Sequence, residues 1–157
     1  MRFEDDVLGF LRSARKHGLR HLLVGGGAVN FHGYQRSSAD VDLWVEPSPD
    51  NFLRLRQVLE EMGYDSELPR SVLEAEQNVS IKISPEQELE LITRFNPGCS
   101  FDEAHTRAEE ASIASEPVTR LWVLALEDLI NSKVKSGRPK DLLDVLELKR
   151  IHGISGT

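Results

Sequence analysis

Residues 21–45 read HLLVGGGAVNFHGYQRSSADVDLWV, and this segment carries the clearest structural pattern in the chain. A short apolar run that ends at Val24 meets three consecutive glycines, and the next apolar segment, 28–32, is compatible with a helix. Glycines placed directly after a strand allow backbone N–H groups to approach a phosphate. The order of strand, glycine turn and helix therefore predicts a site for a phosphorylated ligand.

Two aspartates, Asp40 and Asp42, follow Gly26 after thirteen intervening residues, in a segment whose polarity alternates with period two. Alternate strand residues share one face, so we expect both carboxylates on the same face as Trp44, with the apolar residues between them covering the core. Two aspartates on one face are needed where two divalent cations lie a few ångströms apart. Such pairs also occur by chance as solvated residues, but the preceding glycine turn favours a catalytic role.

The hydrophobic pattern outside this stretch predicts alternating helices and strands. The predicted helices are 3–16, 52–62, 126–134 and 140–151, and the predicted strands are 79–83, 89–92 and 119–124, with 84–87 as the turn of a hairpin. We therefore expect an α+β (α/β-like) fold: a small mixed sheet with flanking helices. One domain should span 1–157, with 125–152 as a helical C-terminal element that closes over the site.

Composition excludes several classes of protein. The 157 residues are 39% hydrophobic and 29% charged, which rules out global disorder. Acidic residues outnumber basic ones 26 to 19, so a general nucleic-acid coat is disfavoured, although one RNA end could still enter a local basic pocket. Cys99 is the single cysteine, which excludes an intrachain disulfide and a cysteine-rich metal site. No apolar run is long enough for a bilayer and the start is charged, so we expect a cytoplasmic protein without membrane contact.

A third carboxylate would complete a cation site, and Glu90 on the predicted strand 89–92 is the candidate. Glu88 lies on the same strand face two residues earlier and is its rival. Both glutamates could instead be solvent-facing residues of an edge strand.

Lys133 lies on the apolar face of the predicted helix 126–134, three and four residues after Ile130 and Leu129. Its stem could pack while its ammonium reaches solvent, or the ammonium could contact a phosphate. The nearby basic residues Arg138 and Lys140 favour the phosphate contact. Asp141 could orient one of these cations, bind near a nucleotide, or serve as a first-turn carboxylate stabilised by the helix dipole.

Two other kinds of site fit the sequence less well. A dinucleotide site would need a third glycine where the chain has Asn30, and a ribose contact does not require an Asp-x-Asp pair. The five histidines show no ligand spacing as a set, which disfavours a zinc site, although His32 could meet substrate.

The motif VGG at 24–26 followed by DVD at 40–42 resembles the signature of the nucleotidyltransferase superfamily, whose members share the catalytic fold of DNA polymerase β. The chain is especially similar to small bacterial members related to abortive-infection nucleotidyltransferase toxins. The similar segments are 23–29, 32–33, Arg36, 38–43, 126–133 and 137–144. Many members carry Asp as the third acid, whereas this chain has Glu90, which is one methylene longer.

This resemblance implies transfer of an NMP from an NTP to an acceptor hydroxyl with release of pyrophosphate. It implies Mg²⁺, or Mn²⁺, held by Asp40, Asp42 and Glu90, which are also the implied catalytic residues. The implied nucleotide-binding residues are Gly25, Gly26, Arg36, Lys133, Arg138 and Asp141. ATP, CTP, GTP and UTP are all compatible nucleotides, and the acceptor could be a small molecule, a protein or an RNA end.

The competing class is a binding or regulatory module that keeps this fold with reduced catalysis and could have a protein partner in a toxin–antitoxin system. Retention of both aspartates argues against it, whereas Glu90 and the short chain argue for it. Metal-dependent NTP binding followed by pyrophosphate release would distinguish the enzyme from the module.

Overall fold

The computed structural model describes residues 3–36, 40–64, 79–82, 88–113 and 115–155. These residues form six strands and six helices. The strands are β1 (His21–Val24), β2 (Asp40–Val45), β3 (Val79–Lys82), β4 (Glu88–Ile92), β5 (Glu109–Ile113) and β6 (Thr119–Val123). The helices are α1 (Asp5–Lys16), α2 (Gly25–Phe31), α3 (Pro49–Glu61), α4 (Phe101–Arg107), α5 (Leu126–Ser136) and α6 (Pro139–His152).

The strands form one mixed sheet in the order β3-β4-β2-β1-β6-β5. β2, which carries the Asp-x-Asp pair, lies between β1 and β4. It is antiparallel to β1 and parallel to β4. β1 is fully buried, which explains its continuous apolar sequence. The predicted α+β fold with a mixed sheet and flanking helices is confirmed.

The helices cover the sheet with their apolar faces. α1 packs on β6 and α3, and its buried residues, among them Val7, Leu11 and Ala14, follow the helical period read from the sequence. α2 packs on β1 and β2, and α5 and α6 pack on each other beside α2. The two C-terminal helices thereby lie close to the C-terminal end of β1.

The structure differs from the predicted elements in three places. The helix after β1 starts at Gly25 itself, so all three glycines belong to its first turn. β4 is an interior strand between β3 and β2, so the edge-strand interpretation of Glu88 and Glu90 is wrong. The residues 101–113 form α4 and β5, neither of which was predicted.

Some sequence predictions lie outside the described residues. They are the end of the strand 79–83, the turn at 84–87, and residues 38–39 of the Asp-x-Asp motif. Within the described residues, every helix is too short or too polar to cross a bilayer.

Candidate active site

A cleft of about 470 Å³ opens beside β1, β2 and β4 and is bordered by α5 and α6. Its wall brings together eight residues that the sequence singled out: Gly25, Asp40, Asp42, Glu90, Lys133, Arg138, Lys140 and Asp141. Gly26 is buried in α2 and Arg36 is half-buried, and neither belongs to the wall of the cleft. The first and last segments that supply the wall, which contain Gly25 and Asp141, are more than a hundred residues apart in the sequence.

The carboxylates reach the cleft because β2 and β4 are parallel and in register. Asp42 is paired with Glu90 and Asp40 with Glu88, so all four side chains point to the same face of the sheet. Asp42 and Glu90 are half-buried, whereas Asp40 and Glu88 are exposed. Glu90 lines the cleft and Glu88 does not, so only Glu90 can meet a ligand there.

The crowding of these acids changes the protonation of Asp42. Burial, followed by the negative charge and hydrogen bond of Glu90 and then the charge of Asp40, raises the pKa of Asp42 to about 7, with Lys133 acting weakly in the opposite direction. The Oδ1 atom of Asp42 is buried and has no hydrogen-bond partner among the described residues. A carboxylate in this environment would be stabilised by a cation.

Gly25 makes this close packing possible. Its φ of +62° lies in the left-handed region, where residues with a Cβ are strained. A Cβ at this position would lie 2.3 Å from Oδ2 of Asp42, which is well inside van der Waals contact. The glycine turn therefore brings the backbone directly against the carboxylate, as expected where a polar ligand must approach both.

Gly25→Ala should cost about 1 kcal/mol in stability from the positive φ, and in addition should displace Asp42. Gly18→Ala is the matched control, because Gly18 has a φ of +69° but a Cβ added there would meet no atom within 4 Å. Thermal unfolding should show a loss of stability for both variants, larger for Gly25→Ala because Asp42 must also move. Calorimetry should show a lower affinity for Mg-ATP, a ligand that the resemblance implies, by about ten-fold or more only for Gly25→Ala. Equal nucleotide affinities would remove Gly25 from the site.

The basic side of the cleft is a network of ion pairs. Lys133 is buried, and its Nζ lies 2.8 Å from Oδ2 of Asp144 and 3.4 Å from Oδ1 of Asp141. Arg138 binds Asp141 through Nε at 2.7 Å, and Arg36 binds both oxygens of Asp144 at 2.9 and 3.0 Å. Burial acts to raise the pKa of Asp141, but hydrogen bonds and charges from Arg138 and Lys133 outweigh burial and leave the pKa below its ordinary value.

This network describes the surroundings of Lys133. Two buried carboxylates hold its ammonium, so the charge does not reach open solvent, but Lys133 also lines the cleft and its contact with a phosphate stays a prediction. Arg138 has an exposed side chain, and Lys140 is exposed, so these two cations face a ligand in the cleft more openly.

Asp144 is the residue that the sequence analysis missed. It joins Arg36, which precedes β2, to Lys133 on α5, and so connects both C-terminal helices to the segment before β2. The signal was present in the sequence, since Asp141, Asp144 and Leu148 are spaced three and four residues apart and share the buried face of α6. An acid at a core-facing position requires a partner.

His32 does not meet the cleft. It is buried, and its Nε2 lies 2.8 Å from the carbonyl oxygen of Leu124, to which the ring N–H can donate. The histidine therefore joins the start of the C-terminal part of the chain to the end of α2.

The carboxylates of the cleft suit a hard cation, although the described side chains are not arranged as a complete cation site. Carboxylate oxygens are the ligands that Mg²⁺ and Mn²⁺ prefer. Oδ1 of Asp42 is buried, has no hydrogen-bond partner among the described residues, and could ligate such a cation. Within residues 3–36, 40–64, 79–82, 88–113 and 115–155, no three His, Cys, Asp or Glu side chains already stand in the arrangement of a complete metal site.

Comparison with known proteins supports the fold. The lincosamide antibiotic adenylyltransferase LnuA, in a lincomycin-bound crystal structure, superimposes with a TM-score of 0.56 and 18% sequence identity. The match covers 98% of each of the two chains. No family model matches this chain, and neither does any curated protein. The chain therefore has the nucleotidyltransferase fold predicted from the glycine turn and the Asp-x-Asp pair.

Proposed function

We propose that this protein is a metal-dependent nucleotidyltransferase that moves an NMP from an NTP to an acceptor hydroxyl and releases pyrophosphate. The observation that carries the proposal is the contact of Asp42 with Gly25 on one side and Glu90 on the other. A phosphate held against the glycine turn would lie beside the carboxylates, and an acceptor beside Glu90 would lie next to that phosphate.

Asp40, Asp42 and Glu90 would hold the divalent cations, which we propose to be Mg²⁺ with Mn²⁺ as a substitute. When bound, these ions would neutralise charge on the triphosphate and lower the pKa of the attacking hydroxyl. Binding would also convert Asp42 to its ionised form, because a cation favours the charged carboxylate that the apo site disfavours. Proton release on metal binding below pH 7 is therefore part of the proposal.

The residues of the chain would act around a single displacement. The acceptor oxygen forms a bond to the α-phosphorus, the bond from that phosphorus to the bridging oxygen breaks, and Glu90 accepts the hydroxyl proton. The backbone N–H groups at the start of α2, with Arg138 and Lys140, would offset the charge of the departing pyrophosphate. Lys133 and Asp141 would hold α5 and α6 in place around it.

ATP and a small molecule with a hydroxyl group are the first nucleotide and acceptor to test. The fold neighbour is an adenylyltransferase of a lincosamide antibiotic, and the cleft of this chain has the volume of a small-molecule site. The low identity makes lincomycin one candidate acceptor among others, alongside a protein or an RNA end.

The test combines binding with turnover. Calorimetry with ATP, CTP, GTP and UTP, each with and without Mg²⁺, should show metal-dependent binding of at least one nucleotide. Incubation of that nucleotide with lincomycin and other small alcohols should then release pyrophosphate and give an adduct heavier by one NMP in mass spectrometry. Metal-dependent binding without turnover would favour the regulatory module, and absence of both would contradict the transferase.

Glu90→Gln should reduce turnover far more than Glu88→Gln, by about a hundred-fold against less than about two-fold, because only Glu90 lines the cleft and contacts Asp42. Both variants remove one negative charge from the same face of β4, so each controls for the other. Initial rates of pyrophosphate release at saturating Mg-ATP measure the difference. Equal, small losses would remove both glutamates from the catalytic set.

A further inference from the structure

A second cavity, of about 500 Å³, adjoins the cleft and has no part in the mechanism above. The two cavities share Arg94 and Phe95, which form the boundary between them. We call it the aromatic cavity; its wall includes Trp44, Pro47, Phe95, Asn96, Cys99 and Phe101. Its size is that of a site for a small molecule.

The aromatic cavity continues the same face of the sheet that carries the carboxylates. On β2 the alternation runs from Asp40 through Asp42 to Trp44, and on the parallel β4 it runs from Glu90 to Ile92 and then to Arg94 beyond the strand. A ligand in the aromatic cavity would therefore lie near the C-terminal ends of β2 and β4, next to the acids of the cleft.

Three aromatic rings that pack on one another form part of the wall of the aromatic cavity. The ring centroid of Trp44 lies 5.0 Å from that of Phe95 and 5.0 Å from that of Phe101, so the three side chains support one another. Trp44 is 3% exposed, and its Nε1–H is buried without an acceptor among the described residues. Asn96 and Ser100 add exposed polar groups at the rim. Phe95 is the most exposed of the three rings, and an apolar surface with a polar rim suits a compact ring that bears hydroxyl groups.

The direction of the displacement identifies which substrate this ligand would be. The attacking oxygen and the leaving pyrophosphate must lie on opposite sides of the α-phosphorus. β1 and β4 flank β2 on opposite sides, so Gly25 lies on one side of Asp42 and Glu90 lies on the other. With the leaving group at Gly25, the acceptor must enter on the β4 side, where the aromatic cavity opens.

We propose that the aromatic cavity is the acceptor subsite and that it takes a small ring-bearing alcohol, whose hydroxyl passes Arg94 and Phe95 to reach Glu90. This inference rests on the proposed transferase function. A nucleobase or a single-stranded RNA would be the alternative occupant, and the experiment below separates these occupants from the alcohol.

The single cysteine allows occupancy to be measured without turnover. Cys99 lines the aromatic cavity and not the catalytic cleft, so its rate of alkylation by iodoacetamide reports on that cavity alone. Burial, followed by the charge of Asp128, raises the pKa of the Cys99 thiol, so the reaction is best followed at alkaline pH. The probes are phenyl β-D-glucopyranoside as a ring-bearing alcohol, sorbitol as its open-chain control, Mg-ATP, and a pentanucleotide RNA.

We expect saturating phenyl glucoside to slow alkylation of Cys99 by about three-fold or more, while sorbitol, Mg-ATP and the RNA leave the rate unchanged. Asn96→Trp should fill the cavity and abolish protection by the glucoside. Asn131→Trp is the matched control, because Asn131 is exposed on α5 and lines neither cavity, and it should retain protection.

Protection by Mg-ATP or by the RNA instead of the glucoside would overturn the assignment, as would protection that persists in Asn96→Trp. Lack of protection together with intact Mg-ATP binding would overturn the acceptor subsite alone. Protection by the glucoside together with no binding of any NTP would contradict the transferase while the cavity retained its small-molecule ligand. The two failures are therefore distinguishable.

Discussion

Asp42→Asn should stabilise the ligand-free protein at neutral and alkaline pH and at the same time abolish metal-dependent nucleotide binding. The variant removes the charge that Glu90 and Asp40 repel, and its amide can donate a hydrogen bond to the Glu90 carboxylate. It also removes the ionisable oxygen donor that would ligate the cation. A single substitution would thus show that the Asp42 charge lowers the stability of the ligand-free protein and is required for nucleotide binding.

The sign of the pH dependence follows from the raised pKa. Asp42 has a pKa of about 7 in the folded protein against an ordinary value of 3.8. Between these pH values the folded state holds a proton that the unfolded state has released, so the free energy of unfolding of the wild type falls as the pH rises. Asp42→Asn lacks this loss, and its advantage should grow between pH 4 and pH 7.

Solvent reaches the half-buried carboxyl and screens its repulsion, so we expect an advantage of about 1 to 3 kcal/mol above pH 7 and almost none at pH 4. Urea unfolding at several pH values measures it. Asp50→Asn is the control, because Asp50 is exposed on α3 and outside the cleft.

Calorimetry on the same proteins should show that Asp42→Asn weakens Mg-ATP binding by at least about a hundred-fold, or about 2.7 kcal/mol. Wild-type affinity for Mg-ATP in this variant would contradict the metal site. A variant that is less stable than wild type at pH 8 would show instead that Asp42 has a structural role.

Lys133→Met should destabilise the protein by about 3 kcal/mol, because Asp141 and Asp144 lose the buried cation that lies between them, although they keep Arg138 and Arg36 as partners. Methionine keeps an unbranched apolar chain, so lost packing contributes little. From the sequence alone, this substitution would be expected to leave stability unchanged, since a packed stem needs no charge.

Arg138→Met is the matched control for Lys133→Met. Both residues bind Asp141, but the Arg138 side chain is 66% exposed and that of Lys133 only 8%. The control should cost about 1 kcal/mol or less, because solvent screens exposed ion pairs. Urea unfolding compares the two variants, and similar losses would show that the buried position of Lys133 does not strengthen its ion pairs.

The predicted elements of the site are correct where a local pattern specifies them. β1, the glycine turn, and β2 follow from an apolar run, three glycines and strict alternation. α4 was missed although Ser100 and Glu103 form a capping box at its start, a pattern visible as Ser-x-x-Glu in the sequence. β5 was missed because its sequence, EEASI, is polar and shows little alternation, and its pairing with β6 supplies what the pattern lacks.

Strand periodicity and glycine conformations are properties of the local backbone, so the residue pattern alone predicts that Asp40 and Asp42 share one face of a strand next to a glycine turn. Three other properties become visible only in the folded chain: Glu90 rather than Glu88 enters the cleft, Asp42 has a raised pKa, and carboxylates hold Lys133. These properties depend on distance and burial between segments that are far apart in the chain. Electrostatic energies change steeply with both quantities, and neither is encoded in the spacing of residues along one segment.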